Sequence, residues 1–344
     1  MSLFPFKFKK TKKSFLGIDI GTSTIRVVEL SRQKEAIQLD NYGEIKTDFL
    51  SKNTFLSSSQ FLGAALKVIL KEADIKTQTV NFSIPDFSSF FTNFELPPMP
   101  QEELEQAVRY EARSYIPLPL SEVTLDWQII GERKILVVAI PNSVISQYQQ
   151  IASFAGLKIK ALEAEVFALA RSLTQREENP LAVVDIGARS TTCSVFEKGI
   201  LKISHSFNIS GNEFTETLRK SLKIDYQKAE ELKKGLGIIG HEGKEREIRE
   251  ILLPLIDTII FEVKKTFESF RFQEGKDVQK IILAGESALM LGLKEYFFEE
   301  LNKAVEIANP FTDLVFPPIL GETLKEMGSA YAIAVGLALK ELKQ

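Results

Sequence analysis

The sequence predicts an α/β protein of two similar lobes, with a small subdomain inserted into the first. Three observations predict it. The first is a repeated motif. Phe15-Leu16-Gly17-Ile18-Asp19-Ile20-Gly21-Thr22-Ser23-Thr24-Ile25-Arg26-Val27-Val28 and Leu181-Ala182-Val183-Val184-Asp185-Ile186-Gly187-Ala188-Arg189-Ser190-Thr191-Thr192-Cys193-Ser194-Val195 both read apolar run, Asp-Ile-Gly, small hydroxyl residues, apolar run. The second is an alternation of strand-like and helix-like apolar patterns, the order that builds a mixed sheet covered by helices. The third is a strand–helix–strand–strand block over residues 86–142 that interrupts the first lobe.

The elements follow in order. Residues 1–14 form a basic arm, with Lys7, Lys9, Lys10, Lys12 and Lys13 interleaved with Phe4, Phe6 and Phe8. Such an arm is solvated and flexible, or touches anionic lipid that attracts its lysines. The first lobe takes residues 15–85. After the Asp-Ile-Gly turn come a strand over Ile25–Leu30 and a third antiparallel segment over Gln33–Tyr42. Between Phe55 and Asp74, the residues Phe61, Leu62, Ala65, Leu66, Ile69 and Leu70 mark one helical face. Thr79–Ile84 reads as a strand closed by Pro85.

In the insert, Phe90–Glu95 is a strand ended by Leu96-Pro97-Pro98-Met99-Pro100. A helix starts at Gln101, with Glu102, Glu103 and Glu105 at the positive end of its dipole. Leu104, Ala107, Val108 and Tyr115 make its inner stripe, and Ile116-Pro117-Leu118-Pro119 stops it. Val123–Ile130 and Lys134–Ile140 are two strands joined through Gly131. Residues 143–178 return to the first lobe: a helix over Ser143–Ala155 capped by Gly156, a strand over Leu157–Leu162, and a crossover helix over Ala164–Leu173. The second lobe takes residues 179–342, with a subdomain near 213–276, and residues 343–344 are a tail. It holds strands within Ala182–Phe196 and Ile200–Ile209, and helices over Gly211–Leu222, Tyr226–Lys234 and Arg246–Phe272. A strand over Lys280–Leu283, a helix from Leu289 and an alanine-rich helix over Gly328–Leu342 complete it.

Composition excludes several function classes. The 344 residues suffice for two cores, and 44% hydrophobic with 26% charged residues is ordinary for a globular protein. A net charge of −3 argues against a nucleic-acid binder. The single cysteine, Cys193, forms no internal disulfide and reads as a small core residue. His205 and His241 stand far from it and from each other, so zinc-binding spacing is absent. No apolar stretch reaches the roughly 18–20 residues that span a bilayer, and the N-terminus lacks a secretory pattern. A cytoplasmic protein is expected.

The chemistry lies in the turns. In each Asp-Ile-Gly turn the glycine lets a ligand approach the backbone, whose N–H groups form an anion-binding concavity. Thr22, Ser23 and Thr24, and Ser190, Thr191 and Thr192, add hydroxyls. Asp19 and Asp185 repel phosphate and suit a hydrated magnesium ion instead. Two such turns facing across a cleft would hold one polyphosphate. A third turn, Ala284-Gly285-Glu286-Ser287, leads from a strand towards a helix, a place for phosphate or ribose. Glu230 and Lys233 share a helix face, as a ligand-contacting pair or a surface ion pair. The run Gly235-Leu236-Gly237-Ile238-Ile239-Gly240 follows a charged helix rather than a strand and is not a dinucleotide site. Trp127 reads as a packing residue of the insert.

These turns occur in the order of the actin-like ATPase superfamily (actin, sugar kinases, the heat-shock chaperone ATPase domain, the division protein FtsA), and the insert resembles the SHS2 module of FtsA. Leu96-Pro97-Pro98-Met99-Pro100, Ala107-Val108-Arg109-Tyr110-Glu111-Ala112, Tyr115-Ile116-Pro117-Leu118-Pro119 and Ile209-Ser210-Gly211-Asn212-Glu213-Phe214-Thr215 more narrowly resemble the PilM family of type IV pilus assembly. The likeness spans about Phe15–Leu342. It implies a two-lobed, ribonuclease H-like α/β fold that binds ATP and Mg2+. Gly21, Thr22 and Ser23 match the first phosphate loop, and Gly187, Ala188, Ser190 and Thr191 the second, with Asp19 and Asp185 holding magnesium through water. Gly211 and Asn212 match the ribose turn, Glu230 and Lys233 the adenosine helix, and Gly285, Glu286 and Ser287 the adenosine turn. Glu286 departs from the pattern by standing where glycine is common, and Arg189 by its size and charge in the second loop.

For hydrolysis, which needs a group that orients water, Glu163 and Glu165 are the catalytic candidates by order. The resemblance implies nucleotide-dependent conformation with slow turnover at most. It also implies a scaffold at the inner face of the inner membrane. Its partners would be the N-terminal peptide of a PilN-like protein, gripped between first lobe and insert, and other pilus platform proteins. Membrane association would then be peripheral, through the partner. An FtsA-like division protein and a metabolic kinase of the same superfamily are the alternatives.

Overall fold

The computed structural model describes residues 13–47 and 58–342. Most of the basic arm, the start of the 55–74 segment and the two-residue tail lie outside the described residues. β1 (Ser14–Ile20), β2 (Thr24–Gln33) and β3 (Ala36–Lys46) form an antiparallel meander. α1 (Ser59–Glu72) begins at Ser58, whose hydroxyl accepts from the Phe61 N–H, and buries Leu62, Ala65, Leu66, Ile69 and Leu70. β4 (Thr79–Ile84) returns parallel to β1. β5 (Phe90–Glu95), α2 (Gln101–Ala112), β6 (Val123–Ile129) and β7 (Lys134–Pro141) make the insert, an antiparallel sheet of order β5-β7-β6 under α2. α3 (Asn142–Ala155) ends at Gly156 with φ +75°, β8 (Lys158–Ala164) joins β4 in parallel, and α4 (Glu165–Leu173) crosses to the second half.

There β9 (Leu181–Ile186), β10 (Thr191–Glu197) and β11 (Ile200–Phe207) repeat the meander. α5 (Gly211–Leu222), α6 (Tyr226–Leu236) and the long α7 (Gly243–Glu274) follow. β12 (Lys280–Ala284), α8 (Leu293–Leu301), β13 (Ala304–Ile307), β14 (Leu314–Val315) and α9 (Gly321–Leu339) finish the chain.

The first sheet has the order β14-β3-β2-β1-β4-β8 and the second β11-β10-β9-β12-β13. Leaving β14 aside, both run third, second, first, fourth, fifth, so the repeated motif heads two sheets of one topology. α1 and α3 cover one face of the first sheet, and α5 to α8 cover the outer face of the second. Between the sheets lie α4 and α9. Ile333 and Leu337 of α9 join Ala168 and Leu169 of α4 and Val183, Phe196 and Ile282 of the second sheet. The other side of α9 packs Tyr331, Ala334 and Ala338 on Val28 and Leu30 of the first sheet. A Cβ on Gly336 would lie 2.0 Å from the Ala168 carbonyl, and one on Gly17 2.2 Å from that of Ala334. Only glycine admits backbones that close.

Four expectations are corrected. β14 pairs with β3, and α9 packs on the first sheet as much as on the second, although the sequence reading groups residues 179–342 together. Both elements are too remote in sequence for local patterns to assign them to a sheet. The helix expected from Leu289 starts at Leu293, because residues 286–289 close a 3-10 turn and Gly292 follows at φ +83°. The short β13 and β14 were not expected, since strands of four and two residues carry little periodicity. Tyr115 leaves the inner stripe of α2: it lies beyond the helix end, 51% exposed, with its ring stacked on Phe94 at 5.6 Å. Val108 and Ala112 are the buried positions of α2, and Trp127 packs in the insert core.

Candidate functional site

The two hairpin tips are built alike. The Gly21 N–H donates to the Thr24 carbonyl at 3.0 Å, and the Gly187 N–H donates to the Ser190 carbonyl at 3.0 Å. Asp19 stands opposite Arg26 on the first hairpin, and Asp185 opposite Thr192 on the second. Both tips line one cavity of about 370 Å³, within the usual range for small-molecule sites. Asn212 Nδ2 reaches Ser23 Oγ across it at 3.4 Å. The N-terminus of α5 docks on the second tip, with the Gly211 and Asn212 N–H groups donating to the Gly187 and Ala188 carbonyls at 2.9 and 3.1 Å.

The carboxylates Asp19, Asp185 and Glu165 line the cavity, and another, the buried Asp86, is bonded to Glu165 and Val166 at the start of α4. Asp19 accepts from Ser83 Oγ at 2.7 Å, and burial raises its pKa. Burial and the charge of Asp19 lift Asp185 to about 7. Glu165 is pushed well above the usual carboxylate range by burial and by the charges of Asp86, Asp19 and Asp185. Asp86, again mainly by burial, rises to about 8. Crossed bonds tie Asp86 to α4: the Asp86 N–H donates to Glu165 Oε2 at 3.1 Å, and the Val166 N–H donates to Asp86 Oδ1 at 3.3 Å. Acids crowded in this way ionise more readily when a cation joins them. Among the described residues no three His, Cys, Asp or Glu side chains form a cage for a bare ion. Asp19 and Asp185, beside the two tips on one cavity, are a donor set that fits a hydrated magnesium ion, which keeps its waters and takes one or two carboxylates plus phosphate.

The opposite wall is polar and paired. Buried Lys233 contacts Glu230 at 2.6 Å, Thr215 Oγ1 at 2.9 Å and the Gly211 carbonyl at 3.1 Å. Glu286 bridges Lys234 at 2.6 Å and Arg26 of the first sheet at 3.1 Å. Desolvation opposes its charge, but the bonds and charges of Lys234 and Arg26 win and hold its pKa below the usual value. The carboxylate that looked out of place in the sequence is thus a neutralised tie between the sheets. Gly285 sits at φ +85°, and a Cβ there would lie 2.5 Å from the Ile186 carbonyl. A Cβ on Gly211 would meet Ser287 Oγ at 2.3 Å. These glycines let their turns pack closely on their neighbours, where a Cβ has no room.

The structure brings together Asp19, Gly21, Thr22, Ser23, Glu165, Asp185, Gly187, Ala188, Ser190, Gly211, Asn212, Glu230, Lys233, Gly285, Glu286 and Ser287 around this one cavity. It does not bring in Thr191 or Glu163. Thr191 is fully buried and donates to the Ile209 carbonyl at 2.6 Å. Glu163 is buried in an ion pair with Arg171 at 2.6 Å and another with Lys340, away from the cavity. Sequence reasoning missed Lys46, Phe87 and Ser329, which line the cavity, and Asp86, which bonds to Glu165 of that lining. A signal for Asp86 existed. β4 and β12 hold the same place in their sheets, and each runs into a 3-10 turn, at Asp86–Ser88 and at Glu286–Leu289. Extending the repeat to the fourth strands would have paired Asp86 with Glu286.

A family model described as type IV pilus assembly protein PilM matches residues 17–342. The cell division protein FtsA of Staphylococcus epidermidis is 19% identical, over 92% of this chain and 79% of its own length. Among solved structures, the PilM-PilN type IV pilus biogenesis complex superposes with a TM-score of 0.83 at 26% identity, covering 96% of this chain and 99% of the other. MreB5 of Spiroplasma citri bound to ADP superposes at 0.56 with 14% identity, over 96% and 97%.

Proposed function

The chain belongs to the type IV pilus assembly protein PilM family and has an actin-like fold, and from that premise we propose that it is an ATP-binding assembly factor that docks a PilN-type partner. The observation that carries the reading is the pair of matched tips on one cavity. Gly21, Thr22 and Ser23 on one side, and Gly187, Ala188 and Ser190 on the other, would cradle the phosphates with backbone N–H groups and hydroxyls. Asp19 and Asp185 would hold magnesium through water. Gly211, Asn212, Glu230, Lys233, Gly285, Glu286 and Ser287 would line the nucleoside. The bound metal supplies charge neutralisation to the phosphates.

Glu165 is the group in reach of a water at the phosphate end. Its bond from the Asp86 N–H favours slow hydrolysis, because a carboxylate already engaged as an acceptor is a poorer base. The partner's N-terminal segment would lie in the groove between the first sheet and the insert, adding main-chain bonds and burying alternate side chains. Among the described residues no helix is long and apolar enough to cross a membrane. Attachment at the inner membrane would run through the partner, alongside other pilus platform proteins. Nucleotide would bias partner binding by its differential affinity for two lobe arrangements.

Calorimetric titration of Mg-ATP tests the reading. The wild type should bind, and the Asp19→Ala, Asp185→Ala double variant should bind at least about tenfold more weakly. Equal affinity, or no capture of a synthetic PilN-type N-terminal peptide, would overturn it.

A further inference from the structure

Five cations line the cavity: Arg26, Lys46, Arg189, Lys233 and Lys234. Arg26, Lys233 and Lys234 are ion-paired. Lys46 and Arg189 have no carboxylate partner among the described residues, and of these two only Arg189 lies within a hairpin tip. Its guanidinium rests on the ring of Phe87, 4.4 Å from the centroid. Phe87 belongs to the turn Pro85–Ser88, which joins β4 of the first sheet to β5 of the insert. That turn is also held by the crossed bonds of Asp86 with Glu165 and Val166.

Resting on the nucleotide reading above, we propose that Arg189 is a terminal-phosphate sensor that exchanges the Phe87 ring for the outermost phosphate of a nucleoside triphosphate. A guanidinium binds phosphate oxygens by charge-assisted, bidentate hydrogen bonds, which exceed an exposed cation–π contact. A diphosphate lacks the outer group, so Arg189 stays on Phe87. With a triphosphate it leaves, and the Pro85–Ser88 turn loses its contact with the second tip. The strand that follows, β5, is an edge of the inserted sheet, so the exchange reports the phosphate count to the insert.

The test compares ATP and ADP, each with magnesium, on Arg189→Ala, Arg189→Lys and Phe87→Leu by calorimetry and hydrogen exchange. Arg189→Ala should weaken ATP about tenfold and leave ADP unchanged, and Arg189→Lys should fall between. Phe87→Leu should tighten ATP about threefold, since the competing contact is gone. In the wild type, ATP should speed exchange over residues 86–95 relative to ADP, and in Phe87→Leu the two nucleotides should give the same exchange. If the contact were only structural, both substitutions would shift ATP and ADP affinity in one direction, and that result would overturn the sensor while leaving nucleotide binding intact. A wild type that binds neither nucleotide would overturn both.

Discussion

Asp185 and Asp86 carry carboxyls with pKa values of about 7 and about 8, raised from the ordinary 3.8 first by burial, and then by the charge of Asp19 on Asp185 and of Asp185 on Asp86. The folded chain therefore keeps protons that the unfolded chain releases near pH 4. Stability present below that pH is lost as pH rises through the folded values. Urea midpoints of the nucleotide-free protein should fall between about pH 5 and pH 8, and Asp86→Asn should flatten the fall. Magnesium affinity should run the other way, rising as Asp185 ionises near pH 7. A protein whose midpoint is level across that range would refute the clustered-acid account.

At the scale of elements, two joints matter. α9 fits between β1 and α4 only through Gly17 and Gly336. Gly336→Ala forces α9 off α4 and should cost about 1–3 kcal/mol, read as a lower urea midpoint at unchanged slope. The insert has its own core, where Val108, Ala112, Ile135, Val137 and Ala139 are buried between α2 and its sheet. Ile135→Ala should remove about 2–5 kcal/mol from that core. Protease should then cut the insert sooner and peptide capture should drop, while Mg-ATP titrates as in the wild type. Loss of nucleotide binding in that variant would show that the insert is not a separable unit.

At the scale of the whole molecule, the two sheets are tied across the cleft by Glu286, between Arg26 of β2 and Lys234 of α6. Glu286→Gln should weaken that tie and raise hydrogen exchange at residues 21–24 and 187–190 before nucleotide is added. Unchanged exchange at both tips would make the tie incidental. The repeated Asp-Ile-Gly turns and their hydroxyl neighbours were legible because a tight turn between apolar strands is a local pattern. So were the strand–helix–strand–strand insert and the apolar face of α1. Lys46, Phe87 and Ser329 were not legible, because nothing in their neighbours marks them and their place depends on chain that folds back from far away. Glu163 and Thr191 show the converse. Each has the residue type and order of a site residue, yet Arg171 and Lys340 claim the one and the Ile209 carbonyl the other. The chain by itself determined the two-lobed repeat and the chemistry of its tips, since both follow from spacing and residue type. The tertiary structure alone decided which carboxylates share the cavity, which cations remain unpaired there, and that β14 and α9 bind the halves together. Those outcomes rest on burial and charge between residues distant in sequence.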